Sequence, residues 1–129
     1  MTATIIVGLP GSGKTTLAKG MIEHLDGWEL VDDIKDLADL PDPSSVLGVI
    51  VCDPHLCIKE VRDNAIAILS VMYGTVGAIY FSNEPDACRS NVASRADGRE
   101  VEPTIRNLSR LYLVPDGIIA VPVWRPPCA

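Results

Sequence analysis

The chain is poor in aromatic side chains: one Phe, three Tyr and two Trp make up 5% of its 129 residues. A core with so few rings must be filled by aliphatic groups. Hydrophobic residues are 47% of the total, in Val-, Ile-, Leu- and Ala-rich runs of the kind that parallel strands covered on both faces require. No apolar run reaches the roughly 18 residues of a membrane span, and no charged-then-apolar leader opens the sequence. These absences favour a soluble cytoplasmic protein, in the host cytoplasm if the source is viral, with no membrane partner. The four cysteines, Cys52, Cys57, Cys88 and Cys128, form no C-x-x-C pair, and His24 and His55 are not grouped with them. A zinc set from Cys52, His55 and Cys57 is weaker than the reading of free thiols in a reducing compartment. Positive charge is also short. Lys and Arg number 11 against 17 Asp and Glu, and the net charge of −6 speaks against a broad electrostatic footprint on nucleic acid. Acids dominate from Glu23 to Asp63, whereas Arg89, Arg95, Arg99, Arg106 and Arg110 give the later part a local basic face. Such a face suits a small polyanion, or one end of a large one.

What is present is "GLPGSGKTT", residues 8 to 16, which meets G-x-x-x-x-G-K-[ST] with Gly8, Gly13, Lys14 and Thr15. A chain that wraps a polyphosphate with its own N–H groups needs glycines where a Cβ would collide or φ must be positive. Lys14 then reaches the β- and γ-phosphates, and the Thr15 hydroxyl ligates Mg²⁺. The rest of the loop, Pro10, Gly11, Ser12 and Thr16, completes the cradle for ATP, with the following helix turning its positive end to the anion. Context supports the motif. "ATIIVG" before it is a buried-strand run, and Leu17, Met21, Ile22 and Leu25 after it fall at helical spacing.

Further along, "GWELVDDIKDL" predicts a turn at Gly27, a strand ending near Val31 and a helical segment over Ile34 to Leu40. Pro41 and Pro43 then break the chain. "VLGVIVCD" is the clearest strand. Ile58, Val61, Ala65, Ile68, Leu69 and Met72 mark a helix to about Tyr73, with Gly74 as its C-cap. "VGAIYFS" reads as a strand, the segment from about Pro85 to Ala96 as a short helix, "EPTIRNLSRLYL" as another with Pro103 in its first turn, and "DGIIAVPVW" as the last strand. Five strands alternating with helices predict one α/β domain over 1–129, a parallel sheet with right-handed crossovers and helices on both faces. An arginine-bearing lid falls at about 84–102.

Three groups carry the chemistry. Asp53 closes a strand at the sheet rim where ligands sit, and a carboxylate there holds Mg²⁺ opposite Thr15. Asp32 and Asp33 follow the second strand toward the same rim, and one of them is the candidate base for an alcohol acceptor. Their alternative is an N-cap for the next helix. Cys88, Asn91 and Arg95 share a helical stripe, with Arg99 just past the Gly98 turn. A mobile segment bearing Arg89, Arg95 and Arg99 can close over a γ-phosphate, whereas Arg106 and Arg110 read as a solvated face.

With these residues in place the chain resembles the small P-loop kinases, and among them the 5′-hydroxyl polynucleotide kinase domain of phage T4 and its relatives. "GLPGSGKTT" matches that phosphate loop, "VDDIK" is similar to its segment with the catalytic Asp and an acceptor-binding base, and "GVIVCDPHL" resembles its acid-terminated strand. "CRSNVASRADGREVEPTIRNLSRLY" resembles its lid and following helix. The resemblance implies Asp32 as general base, Lys35 toward the acceptor phosphate where the family has Arg, Asp53 near the metal or acceptor, and Arg95 as lid arginine. Asp33 falls beside Lys35 on the acceptor side. The stretch from Asp33 to Val46 is shorter than the acceptor insertion of nucleoside monophosphate kinases, which suits a protruding hydroxyl. The sequence therefore points to an ATP- and Mg²⁺-dependent kinase acting on a nucleic acid hydroxyl, a 5′ end or a hydroxylated base such as hydroxymethyl-uracil. The alternatives are a kinase of a free nucleoside, nucleotide or other small alcohol, and a non-catalytic ATP-binding accessory protein. A guanine-specific switch would carry an N/T-K-x-D element, and none is present. Backbone near Val121 to Trp124, or a lid arginine, is the candidate contact for adenine.

Overall fold

The computed structural model describes residues 2–32, 39–95 and 101–125. Strand β1 (Thr2–Val7) leads through the glycine-rich loop into helix α1 (Lys14–Ile22), and β2 (Trp28–Asp32) and β3 (Gly48–Cys52) follow. A 3₁₀ turn over Pro54–Cys57 then opens into α2 (Lys59–Tyr73), β4 (Thr75–Tyr80), α3 (Pro85–Arg95) and α4 (Glu102–Leu111). All strand pairs are parallel, in the order β2-β3-β1-β4. The register aligns Asp32 with Cys52, Cys52 with Ile6, and Val7 with Tyr80. All four carboxyl ends therefore reach one rim of the sheet, the rim that receives ligands in open α/β sheets.

Alternation along β1 sends its side chains to two layers. Ala3, Ile5 and Val7 join the larger core with Leu69 and Tyr73 of α2, Cys88 of α3, Ile105 and Leu108 of α4, and Tyr112. Ile6 faces the other way, onto Ala18 of α1 with Ile50, Cys52 and Phe81. Every residue of β3 is buried, as a central parallel strand covered on both sides demands. Few rings are needed, yet two tie loops down. The Tyr112 hydroxyl donates to the Phe81 carbonyl oxygen, and the Tyr73 hydroxyl donates to that of Pro41 at 2.5 Å.

The expected fifth strand is reduced to a single bridge between Phe81 and Val121. Val121 N–H donates to Tyr80 O at 2.7 Å and Val121 O accepts from Ser82 N–H at 2.8 Å. The next residue, Pro122, has no N–H to offer a ladder, and Val123 N–H turns to the Glu84 carboxylate at 3.0 Å. Ile118 and Ile119, which the strand reading placed in the sheet, are exposed. Most of the helical segment expected over Ile34 to Leu40 lies outside the described residues.

Candidate phosphate-transfer site

The glycine-rich loop leaves β1 at the sheet rim. Gly11 and Gly13 hold φ of 83° and 104°, a region that a Cβ makes costly. Space enforces the same choice. A Cβ on Gly11 would lie 2.6 Å from the Cys88 carbonyl oxygen of α3, and one on Gly13 would lie 2.6 Å from Trp124 Cβ. Ser12 N–H donates back to Leu9 O at 3.1 Å, and Leu17 N–H donates to Gly13 O at 3.0 Å, which starts α1. The first amides of any helix lack intrahelical partners, which leaves those of α1 available to an anion.

Lys14 is buried, and its Nζ donates to the Leu9 carbonyl oxygen at 2.9 Å. Burial holds this amine below its ordinary range, with partial compensation from nearby Cys57, Cys52 and Cys88 and from Asp32. A buried ammonium on a neutral acceptor is a poised anion receptor. Ser12 Oγ is buried without a hydrogen-bond partner among the described residues. An orphaned hydroxyl, a buried ammonium and a backbone cradle that a Cβ would fill together fit a polyphosphate.

Thr15 Oγ1 donates to Asp32 Oδ2 at 3.2 Å. Asp53 is nearly buried; its Oδ1 accepts from His55 N–H at 2.9 Å and lies 3.0 Å from His55 Nδ1. Asp53 thus caps the turn at Pro54 and also faces the cavity. Thr15 and Asp53 offer a hydroxyl and a carboxylate on one cavity, hard-oxygen donors that fit Mg²⁺, with the Asp32 carboxylate beside them.

These groups line a cavity of about 410 Å³, together with Pro10, Gly11, Gly13, Lys14, Thr16 and Arg95. Gly8 and Ser12 lie beneath the loop, where a Cβ on Gly8 would come within 2.6 Å of Ser12 Oγ. Four lining residues escaped the sequence reading: Pro54, His55, Val101 and Thr104. Asn91, which the sequence placed only on a stripe with Cys88 and Arg95, is buried on α3 behind the loop. Asp33, Lys35 and Arg99 lie outside the described residues.

Arg89 is a correction. It was expected on the nucleotide, but its Nε donates to both oxygens of Glu102 at 3.0 and 2.8 Å and a terminal nitrogen donates to Asp86 at 2.9 Å. Two carboxylates engage the guanidinium, which braces α3 against α4 and does not line the cavity. The segment expected as a mobile lid accordingly starts with a docked helix, anchored through buried Cys88 and Asn91. Cys52, Cys57 and Cys88 form no disulfide among the described residues, and burial pushes the Cys57 thiol up to about 12 and the Cys88 thiol to about 11. No group of His, Cys, Asp and Glu among the described residues forms a candidate metal cluster, and none of their helices is long and apolar enough to cross a membrane.

Comparison with known proteins adds three findings. An uncharacterized protein of Acanthamoeba polyphaga mimivirus is 32% identical over 102 residues, which span 74% of each chain. Among solved structures, a gluconokinase from Sinorhizobium meliloti superposes with a TM-score of 0.67 at 12% identity, covering 97% of this chain and 84% of its own. Kti12 of Chaetomium thermophilum, solved in complex with ADP-AlF3, gives 0.64 at 16% identity over 88% of this chain and 81% of its own. The fold is that of the P-loop NTPases. No family model matches the chain.

Proposed function

The chain belongs to one family with the mimiviral protein, and from that premise and the geometry of the cavity we propose that it is an ATP-dependent kinase that phosphorylates a hydroxyl group of a nucleic acid. The observation that carries the reading is the convergence of Lys14, Thr15, Asp32, Asp53 and Arg95 on one cavity at the carboxyl ends of the strands. The kinase and ATP-binding part also accords with the P-loop neighbours.

In this reading the amides of the loop and Lys14 bind the β- and γ-phosphates of ATP, and Thr15 and Asp53 hold Mg²⁺. Bound Mg²⁺ supplies charge neutralisation across those phosphates. Asp32, next to the loop through Thr15, accepts the proton of the acceptor hydroxyl. Arg95 stabilises charge on the phosphoryl group in flight, and Asp33 and Lys35 bind the acceptor. Catalysis of this type is positioning plus electrostatics, which is what a preformed loop and fixed charges provide. The short connection between β2 and β3, residues 33–47, supports an acceptor that protrudes into the site. The net charge of −6 is the observation that favours a small alcohol as second reading.

Transfer of labelled γ-phosphate from ATP and Mg²⁺ tests both. The acceptors are a 5′-hydroxyl oligonucleotide, a hydroxymethyl-uracil duplex, and mixed nucleosides, nucleotides and small alcohols, with Asp32→Asn as control. Label on either DNA, lost in the variant, is the expected result. Label on small acceptors alone overturns the nucleic acid assignment, and ATP binding without transfer to any acceptor overturns the kinase itself.

A further inference from the structure

Asn91 lies on α3, 6% exposed, with its amide aimed at two segments far from it in sequence. Its Nδ2 donates to Gly11 O at 2.9 Å and to Trp124 O at 2.5 Å. Trp124 N–H in turn donates to Ser12 O at 2.9 Å. Three hydrogen bonds thus close a ring through the glycine-rich loop, α3 and the C-terminal strap. Only a primary amide places two N–H donors on one atom with no charge, so no other side chain of this size satisfies both carbonyls.

The contacts around the ring are close. The loop at Gly11 lies against the backbone of α3 at Cys88, one turn before Asn91, and the loop at Gly13 lies against Trp124. Arg95 stands one turn after Asn91, on the same face of the helix, and reaches the cavity that Lys14 lines. Holding Asn91 to the loop therefore sets the spacing between the loop and the guanidinium.

We propose that Asn91 is a positioning residue: by clamping α3 and the Trp124 strap to the glycine-rich loop, it presets Arg95 and the loop around the same phosphoryl group. The proposal rests on the kinase reading for Arg95, while the clamp itself stands on the hydrogen bonds. It assigns the placement of Arg95 to a fixed joint one turn before the end of α3.

Two measurements on the full chain separate the layers. The first is tryptophan emission in a Trp28→Phe background, which isolates Trp124. Asn91→Ala and Asn91→Asp shift this emission to longer wavelength if the strap is released, with circular dichroism confirming the fold. Unchanged emission in both overturns the clamp, whether or not the protein is a kinase. The second is a double-variant cycle with Arg95→Ala, reading kcat for transfer to the acceptor found above and the Kd of ADP. We expect Asn91→Ala to lower kcat by about 10- to 100-fold, as misplacement near the chemistry does, with ADP affinity changed by about threefold or less. In the Arg95→Ala background the further loss in kcat is about threefold or less, because both changes remove one function. Multiplicative losses, or a loss in ADP affinity alone, overturn the link to Arg95. Absence of transfer by the unmodified protein overturns the kinase reading, and the emission result then decides the clamp.

Discussion

Thr15 Oγ1 and Asp32 Oδ2 share a hydrogen bond of 3.2 Å that joins the first turn of α1 to the carboxyl end of β2. It puts the proposed base beside the proposed magnesium-side hydroxyl, so the two substitutions should fail differently. Asp32→Asn keeps the hydrogen-bonding shape and removes the proton acceptor. Transfer is expected to fall about 10²- to 10⁴-fold, the usual range for a general base, with little change in ADP affinity. Thr15→Val removes the hydroxyl and is expected to raise the magnesium concentration required for half-maximal rate. A magnesium titration of both variants checks this. Equal magnesium curves would place Thr15 outside the metal shell.

Lys14 carries an unfavourable burial that its proposed place on the phosphates would account for. Its charged form is penalised in the folded state, so below its lowered pKa the penalty is present in full. As pH rises from that value toward about 10.4, the unfolded chain holds the proton that the folded chain has lost, and stability relative to the unfolded state increases. Lys14→Met removes the group. The ligand-free variant is expected to be the more stable of the two wherever the buried amine is charged, with a gap that narrows as pH rises through the lowered pKa toward about 10.4. Its nucleotide affinity should drop about 10- to 100-fold, the worth of a hydrogen bond to a charged group. Thermal melts from pH 7 to 10, with and without ADP, read all three effects.

The late arginines divide into a brace and a charge for the cavity. Arg89→Gln cuts a solvent-screened network to Glu102 and Asp86, and such pairs contribute little to stability. A small loss in Tm with normal transfer is the expected outcome. Arg95→Ala removes the guanidinium that lines the cavity and is expected to lower kcat about 10³-fold or more at unchanged Tm. Parallel melts and transfer rates check the pair, and a reversal of the two phenotypes would reassign them.

The legible parts of this molecule are those governed by local rules. The loop between β1 and α1 could be read because phosphate wrapping demands glycine at fixed offsets, and α2 because its apolar stripe ends at Gly74. Arg89 was misread because its main partner, Glu102, sits thirteen residues away on the next helix, and nothing local marks that pairing. Asn91 was recognised only as part of a stripe, since its partners Gly11 and Trp124 are separated from it by 80 and 33 residues. The last strand was overread from an apolar run in which Pro122 stops the ladder after Val121. His55 entered the sequence reading only in a zinc set with Cys52 and Cys57. Its place on the cavity follows from Asp53, whose cap over the 3₁₀ turn folds the imidazole back toward the rim.

Two glycines only seven positions apart separate the demands of site and scaffold. Gly20 lies inside α1, and a Cβ there would meet nothing within 4 Å. Gly20→Ala is expected to stabilise the chain by about 0.5–1 kcal/mol through the lower conformational freedom of the unfolded state. Gly13 has φ of 104°, and its added Cβ would collide with Trp124 Cβ. Gly13→Ala therefore incurs backbone strain of about 1–3 kcal/mol and pushes the strap off the loop, breaking the Trp124 to Ser12 hydrogen bond. The expected result is a destabilised protein with nucleotide affinity reduced at least about tenfold, read by denaturant unfolding and ADP titration. If Gly13→Ala instead bound nucleotide normally, the loop would have to adapt around the strap, and the close packing of Trp124 against Gly13 would be incidental to the site.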